Sequence, residues 1–385
     1  MPEYSRELAL AAASIHRASI ITKEILRSLE NQVPAEIKVD ASPVTAADFA
    51  AQALIISAVH SVYPSDRFVG EEDAEELRND NALARRVWDI VQTARPIMLE
   101  HQDLPLALPE TMEDMLKMID LGMTEYTSQG RVWVLDPIDG TATFMKGQQY
   151  AVCLCLLVDG LQHLAVIGCP NLSFQGTSNK IHEDQADPHG YGVLVSAVKG
   201  QGTYLQEIRA RSLGDPRQIK RRTDGKQLWD LDFIESTIGK TSLSQSEHKA
   251  VAERLGATWP TTVIWSQQMK YVSLALGLTD VMVRIPKTRE RYIQIWDHAG
   301  GCLLYEEAGG MIRDVDGRPI LFGQGRKLRG ENNFGMVAAM PYYFESVMDA
   351  VKAVIRQRPG GDAAWPRHEV KYSLFPPRGR GDLPS

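Results

Sequence analysis

The sequence predicts a mixed α and β fold, and three observations carry that reading. Apolar residues at helical spacing open the chain. Short, wholly apolar runs bounded by turn residues mark buried strands through its middle. Further on, strands alternate with helices to about Met340.

In order along the chain, Leu8, Ala12, Ile15, Ile21, Ile25 and Leu29 mark an amphipathic helix over the first thirty residues. Residues 31–43 read as loop, ending in Ser42-Pro43. A second helix is expected from Ala46 to Val62, where Tyr63-Pro64-Ser65 stops it. Arg67-Phe68-Val69 reads as a short strand leading into Gly70-Glu71-Glu72-Asp73. The charged run from Glu75 to Gln92 reads as helix, and the proline-bearing residues 93–110 as an irregular insertion. Val132 to Leu135 is a buried strand, expected to stop at Asp136-Pro137. Tyr150 to Val158 and His163 to Gly168 are strands joined by a turn at Asp159-Gly160, and residues 173–190 are polar loop. Thr279 to Ile285 reads as a strand, Asp297 to Ala308 as a helix closed by Gly309-Gly310, and Asp316-Gly317 as a hairpin turn. From Arg358 the chain turns rich in proline, glycine and arginine, the composition of a surface or unstructured tail.

The 385 residues suffice for two modest domains or one large one. The formal charge of -7 gives no general attraction to nucleic acid or anionic lipid, so neither a nucleic acid polymer nor a membrane is an expected partner. Glu3, Arg6, His16, Arg17, Lys23, Glu24 and Arg27 interrupt the first helix too often for a secretory or spanning segment, and a cytoplasmic location is expected. Cys153, Cys155, Cys169 and Cys302 sit in apolar runs and read as small buried thiols in a reducing compartment. Nothing in the sequence signals a particular oligomeric state.

The strongest chemical signal is Asp136-Pro137-Ile138-Asp139-Gly140-Thr141, at the end of a buried strand. Proline and glycine force a turn that can aim both carboxylates at one point. Two anionic groups so close repel unless a cation or proton lies between them, and hard oxygen ligands suit magnesium. Gly140-Thr141 would then open a helix whose free N–H groups favour a phosphate. The plainer alternative is an Asx turn capping a helix, with no metal. Glu71 and its neighbours also follow a strand. Asp297 starts a helix, where a simple N-cap is the alternative, and Asp48 lies in a first helical turn, where favourable dipole placement is the alternative. His298 reads as a residue that caps or packs beside Asp297, not as a ligand, because magnesium prefers oxygen.

Four segments in order resemble the motif set of the inositol monophosphatase-like phosphatases. They are Ser42-Pro-Val-Thr-Ala-Ala-Asp48, Gly70-Glu71-Glu72, Asp136-Pro-Ile-Asp139-Gly-Thr141 and Trp296-Asp297-His-Ala-Gly-Gly. Tyr150-Ala-Val, Gly168-Cys-Pro-Asn171, Gln268-Met-Lys270-Tyr271, Leu274-Ala-Leu-Gly277 and Asp280-Val-Met-Val-Arg284-Ile-Pro286 resemble the 3'(2'),5'-bisphosphate nucleotidase branch. The likeness covers roughly residues 1–340. It implies an α+β / α/β layered sandwich, α-β-α-β-α. Residues 1–150 would form an N-terminal part with most metal ligands, residues 151–357 a C-terminal part with substrate contacts and the last ligand, and residues 358–385 the tail.

The same likeness implies that Glu71, Asp136, the carbonyl of Ile138, Asp139 and Asp297 hold two or three magnesium ions. Asp48 and Thr141 would position and deprotonate the attacking water. Gly140, Thr141, Gln267, Lys270 and Arg284 would contact the substrate, although Lys270 and Arg284 also fit as ordinary solvated cations. The implied reaction removes the 3'-phosphate of adenosine 3',5'-bisphosphate, with 3'-phosphoadenylyl sulfate as a second substrate, in sulfur metabolism, and is sensitive to lithium. Three positions depart from the branch: Ala142-Thr143-Phe144 follows the aspartate motif in place of Lys-Gly-Phe, Gln267 stands where the branch has serine, and no histidine occupies the turn at Thr241-Ser242-Leu243-Ser244. All three fall at expected substrate contacts. Two alternatives therefore stay open, a phosphatase for another phosphorylated small molecule and a non-hydrolytic protein reusing the fold.

Overall fold

The computed structural model describes residues 3–32, 46–97, 106–124, 128–173, 180–220, 225–236, 241–288 and 290–358, with positions 99, 104 and 126. Ser42 to Thr45 of the first motif, part of the expected insertion and the tail beyond Arg358 lie outside the described residues.

The chain begins with helices α1 (Ser5–Gln32) and α2 (Ala46–Val62), strand β1 (Arg67–Val69) and helices α3 (Glu75–Asn79), α4 (Asn81–Thr93) and α5 (Met112–Leu121). Strand β2 (Arg131–Asp139) leads through the one-turn α6 (Thr141–Phe144) to β3 (Ala151–Val158), β4 (Leu161–Cys169), β5 (Val193–Val198) and β6 (Gly202–Arg209). Short strands β7 (Ser212–Leu213), β8 (Arg217–Gln218) and β9 (Ile234–Glu235) precede α7 (Gln245–Arg254), β10 (Thr262–Val263) and α8 (Gln267–Ala275). The chain then runs through β11 (Met282–Arg284), β12 (Tyr292–Gln294), α9 (Ala299–Glu307), β13 (Met311–Arg313), β14 (Lys327–Arg329), β15 (Met336–Ala339) and α10 (Pro341–Ile355).

One large sheet has the order β1-β2-β3-β4-β5-β6-β7, with β8 also on β6. Only the β1–β2 pair in it is parallel. Both of its faces are covered, so its strands are apolar on both sides. Val152, Leu154 and Leu156 of β3 pack toward α1 and α2, while Cys153, Cys155 and Leu157 pack toward α8 and α9. This is the alternation expected of a strand, and all four cysteines are free, buried thiols. On the far side of α8 and α9 lies a second sheet, β11-β15-β13. A parallel bridge from Phe233 to Val281 ties β9 and its partner β10 onto it. Helices α7 and α10 pack together and cover this sheet. The layers therefore run helix, sheet, helix, sheet, helix.

Several local expectations need correction. The helix expected from Glu75 to Gln92 is two helices. Asp80 is extended (φ -123°, ψ 93°) and its carboxylate accepts hydrogen bonds from the Ala82 and Leu83 amides, so it ends one helix and caps the next. Helix α5 was not expected; the Thr111 hydroxyl caps it by accepting from the Asp114 amide. Strand β2 does not stop at Asp136-Pro137. It continues to Asp139, with a register shift between Asp136 and Asp139 that absorbs the missing proline donor. Asp297 does not start a helix, because α9 begins at Ala299 with His298 at the cap position. The turn at Asp316-Gly317 closes through the Gly317 amide onto the Asp314 carbonyl, without two paired strands.

Candidate active site

Parallel pairing of β1 with β2 builds the first half of the site. Val69 is registered with Val134, so Glu71 and Asp136, each two residues further on, leave the sheet at the same edge. Asp139 ends β2, and Gly140 turns the chain at φ 98° into α6. A Cβ there would lie 2.8 Å from Thr143 Oγ1 and 3.1 Å from Ser266 Cβ. Glycine is therefore required both by the left-handed backbone and by the close approach of α8. Asp48, buried in the first turn of α2, lies beneath Thr141, whose hydroxyl is 3.4 Å from Asp48 Oδ1 and 3.2 Å from the Ile138 carbonyl.

The second half comes from the helices between the sheets. Residues 295–298 bring Asp297 across to the aspartate turn, so that one carboxylate oxygen each of Asp136, Asp139 and Asp297 lies within 4.8 Å of the others. Asp139 is held by Ser266 Oγ and the Gln268 amide at the start of α8. The same hydroxyl accepts from the Met269 amide and caps the helix. A cleft of about 350 Å³ opens over these groups. Glu71, Asp136, Ile138, Asp139, Gly140, Thr141 and Asp297 line it, together with Gln267, Lys270 and Arg284. The structure thus brings together every residue singled out from the motifs, with Asp48 beneath Thr141.

Electrostatics divide the cleft. Burial, followed by repulsion from Asp297, Asp48 and Asp139, pushes Glu71 up to about 8, although its side chain still opens onto solvent along the cleft. Burial and Asp139 push Asp297 to about 7, against the pull of Arg284, Lys270 and Arg291. Asp136 is driven upward by burial and by Glu71. Burial and Arg284 lower Lys270 to about 7, while Asp139, Glu235 and Glu183 oppose that shift. Lys270 Nζ donates to the Trp265 carbonyl at 2.9 Å, and Arg284 donates to Gln267 Oε1.

The acidic cluster fits a divalent cation. Asp136 Oδ1 is buried and has no hydrogen-bond partner among the described residues. The donors are carboxylates and one carbonyl, the oxygen set that hard cations take. His298 takes no part. Its Nδ1 meets the Tyr271 hydroxyl at 2.7 Å, it makes no side-chain capping bond, and burial with three nearby cations keeps it neutral.

Sequence reasoning missed several residues that shape the cleft. Arg291 and the nearly half-exposed Trp265 line it, as do Ser236 and Leu243. Arg291 sits in a charged loop with nothing local to single it out. Ser266 carried a legible signal, a serine immediately before a helix, yet its bond to Asp139 depends on the tertiary fold. Of the three departures from the nucleotidase branch, Ala142, Gln267 and Thr241 all border the cleft.

A profile of the inositol monophosphatase family matches residues 6–340. The chain is 37% identical over 359 residues to the 3'(2'),5'-bisphosphate nucleotidase of Schizosaccharomyces pombe, covering 92% of this chain and 98% of that protein. Its identity to the enzyme of that name from Emericella nidulans is 38% over 356 residues, covering 92% and 99%. Among solved structures, an inositol monophosphatase from Anabaena aligns with a TM-score of 0.54 at 15% identity, over 92% of this chain and 97% of that one. The Thermotoga maritima IMPase aligns at 0.53 and 16%, over 92% and 98%. The structural likeness supports the layered fold, and the profile together with the curated relatives shows the lineage: the chain belongs to the inositol monophosphatase family.

Proposed function

We propose that this protein is a magnesium-dependent phosphomonoesterase that removes the 3'-phosphate of adenosine 3',5'-bisphosphate, leaving AMP and inorganic phosphate. 3'-Phosphoadenylyl sulfate is a second substrate on this reading. The observation that carries it is the meeting of an acidic cluster and a cationic cluster in one cleft. The acidic cluster suits metal ions, and the cationic cluster suits a second anionic group on the same small molecule. The naming of the curated relatives as bisphosphate nucleotidases supports the same substrate class.

In this reading Glu71, Asp136, Asp139, Asp297 and the Ile138 carbonyl hold two or three magnesium ions. Those ions would lower the pKa of an attacking water and offset charge on the leaving oxygen. Asp48 accepts a hydrogen bond from the Thr141 hydroxyl, and this pair orients the water and takes up its proton. The Gly140 and Thr141 segment would offer its amides to the scissile phosphate. Lys270, Arg284 and Arg291 hold the distal phosphate, with Gln267 orienting Arg284, and none of the buried cysteines is needed as a nucleophile. On this reading the 1–150 part supplies all but one ligand with the Gly140 and Thr141 contacts, and the 151–357 part supplies Asp297 and the remaining substrate contacts. Among the described residues no helix is long and apolar enough to cross a membrane.

Phosphorus NMR of the reaction tests the regiochemistry. The expected products are 5'-AMP and phosphate; accumulation of the 3'-monophosphate would contradict the assignment of the two clusters. A second reading, a different phosphorylated small molecule, draws on Ala142, Gln267 and Thr241 at the cleft. Turnover of inositol 1-phosphate in preference to the nucleotide would favour it.

A further inference from the structure

Arg326 belongs to none of the motifs, yet it contacts the residues next to both Glu71 and Asp297. Its Nη2 donates to the Gly70 carbonyl at 2.7 Å, and its Nη1 to the Gly122 carbonyl at 2.7 Å. Gly70 immediately precedes Glu71, and its own amide donates to the same Gly122 carbonyl at 2.8 Å. The guanidinium lies 4.8 Å from the centre of the Trp296 ring, next to Asp297. The Arg326 carbonyl accepts from the Ile295 amide at 3.0 Å, two residues before Asp297. One side chain and its backbone therefore span the segment bearing Glu71 and the segment bearing Asp297.

The opposite side of the Glu71 segment is equally fixed. Gln52 of α2 donates to the Glu72 and Ile119 carbonyls at 2.6 and 2.9 Å and accepts from the Glu72 amide at 3.1 Å. A Cβ on Gly70 would lie 2.5 Å from Gln52 Oε1, and one on Gly122 would lie 2.6 Å from Gln52 Nε2. The strand end is thus pinned between Gln52 and Arg326, with glycines where the clamp closes.

We infer that Arg326 is a positioning residue for the metal site, setting the separation of Glu71 and Asp297 by bridging the Gly70 and Gly122 carbonyls to Trp296. The inference rests on the metal reading of the acidic cluster. Glu71 and Asp297 come from distant parts of the chain, so their spacing is set by the contacts that support their two segments. A planar guanidinium can donate to two carbonyls at once and stack on an indole; an ammonium cannot do all three.

The test is magnesium binding to the full-length protein by isothermal titration calorimetry, with Mg²⁺ alone as the probe, for wild type, Arg326→Gln and Arg326→Lys. Removing a support behind metal ligands costs on the order of 10- to 100-fold in affinity. Arg326→Gln is therefore expected to weaken Mg²⁺ binding by about that factor. Its turnover should recover to within about twofold of wild type once magnesium is saturating, with KM for the organic substrate unmoved. Arg326→Lys keeps a cation over Trp296 but loses one carbonyl, and falls between the two. A destabilised Arg326→Gln that binds Mg²⁺ as wild type does would reduce Arg326 to a fold residue and overturn the inference. If Arg326→Gln does not fold, Arg326→Lys decides alone: wild-type Mg²⁺ affinity overturns it. A wild-type protein that binds no Mg²⁺ would sink the metal reading and this inference with it, a pattern distinct from loss of the inference alone.

Discussion

Replacing Asp136 with asparagine removes one charge from the acidic cluster and keeps the shape of the side chain. In the metal-free protein that charge is a liability. Its carboxylate lies within 4.8 Å of those of Asp139 and Asp297, and one of its oxygens is buried without a partner. Two unit charges at that distance repel by roughly 3 kcal/mol at an effective dielectric of about 20. Proton uptake by the crowded carboxyls relieves part of this, so a gain of roughly 1–3 kcal/mol is expected for Asp136→Asn at mildly alkaline pH. For a 385-residue chain the unfolding entropy is roughly 0.8 kcal/mol/K, which turns that gain into a rise of about 1–4 °C in Tm. Magnesium offsets that difference. At about a hundred times its Kd, a ligand specific to the folded state adds about 2.7 kcal/mol, or roughly 3 °C here. The variant forgoes this gain. Differential scanning fluorimetry in EDTA and in excess Mg²⁺ reads both effects in one experiment. An Asp136→Asn protein less stable than wild type in EDTA, or one with an undiminished magnesium shift, would refute the reasoning.

Three other outcomes follow from the same geometry. Arg284→Gln loses a charge-assisted contact worth about 1.5–3 kcal/mol, so KM for a bisphosphate should rise by about 10- to 100-fold with a smaller change in kcat; an unchanged KM in steady-state kinetics would remove Arg284 from the substrate contacts. Glu71 and Asp297, at about 8 and about 7 when folded, bind protons more tightly folded than unfolded, so their contribution to stability is lost as pH rises from their ordinary values toward those figures. Lys270, lowered to about 7, acts in the opposite sense above that pH, and buried His298 does so below its ordinary value of about 6.5; metal-free urea denaturation of wild type beside Glu71→Gln should therefore show wild type losing stability relative to the variant between about pH 5 and pH 7, and a relative gain would contradict the account. Lithium should inhibit by replacing one magnesium, and activity untouched by high millimolar lithium would mean the ions are arranged differently.

The parts of the site legible in the sequence are those carried by short-range patterns. Asp136-Pro137-Ile138-Asp139-Gly140 announces a strand ending in an acidic turn, and the continuous apolar runs of β3 and β4 announce strands. What could not be read depends on residues far apart in the chain. Arg326 lies more than two hundred positions from the carbonyls it holds, and Gln52 closes on glycines whose neighbour in space is set by the fold. The strands β7 to β15 are short, and each is defined by its pairing partner more than by its own two to four residues. The break in the helix after Glu75 was missed for a different reason. Asp80 looks like one more charge in a charged run, and only its extended backbone reveals it as a cap.

On the proposed reading, the acidic and cationic groups of one cleft act together on a bisphosphate nucleotide. The most direct measurement compares kcat/KM for adenosine 3',5'-bisphosphate and inositol 1-phosphate, each with Mg²⁺ and with EDTA. The account predicts phosphate release that requires Mg²⁺ and strongly favours the nucleotide. Release that persists in EDTA, or no release from the nucleotide by a protein that binds Mg²⁺, would contradict it.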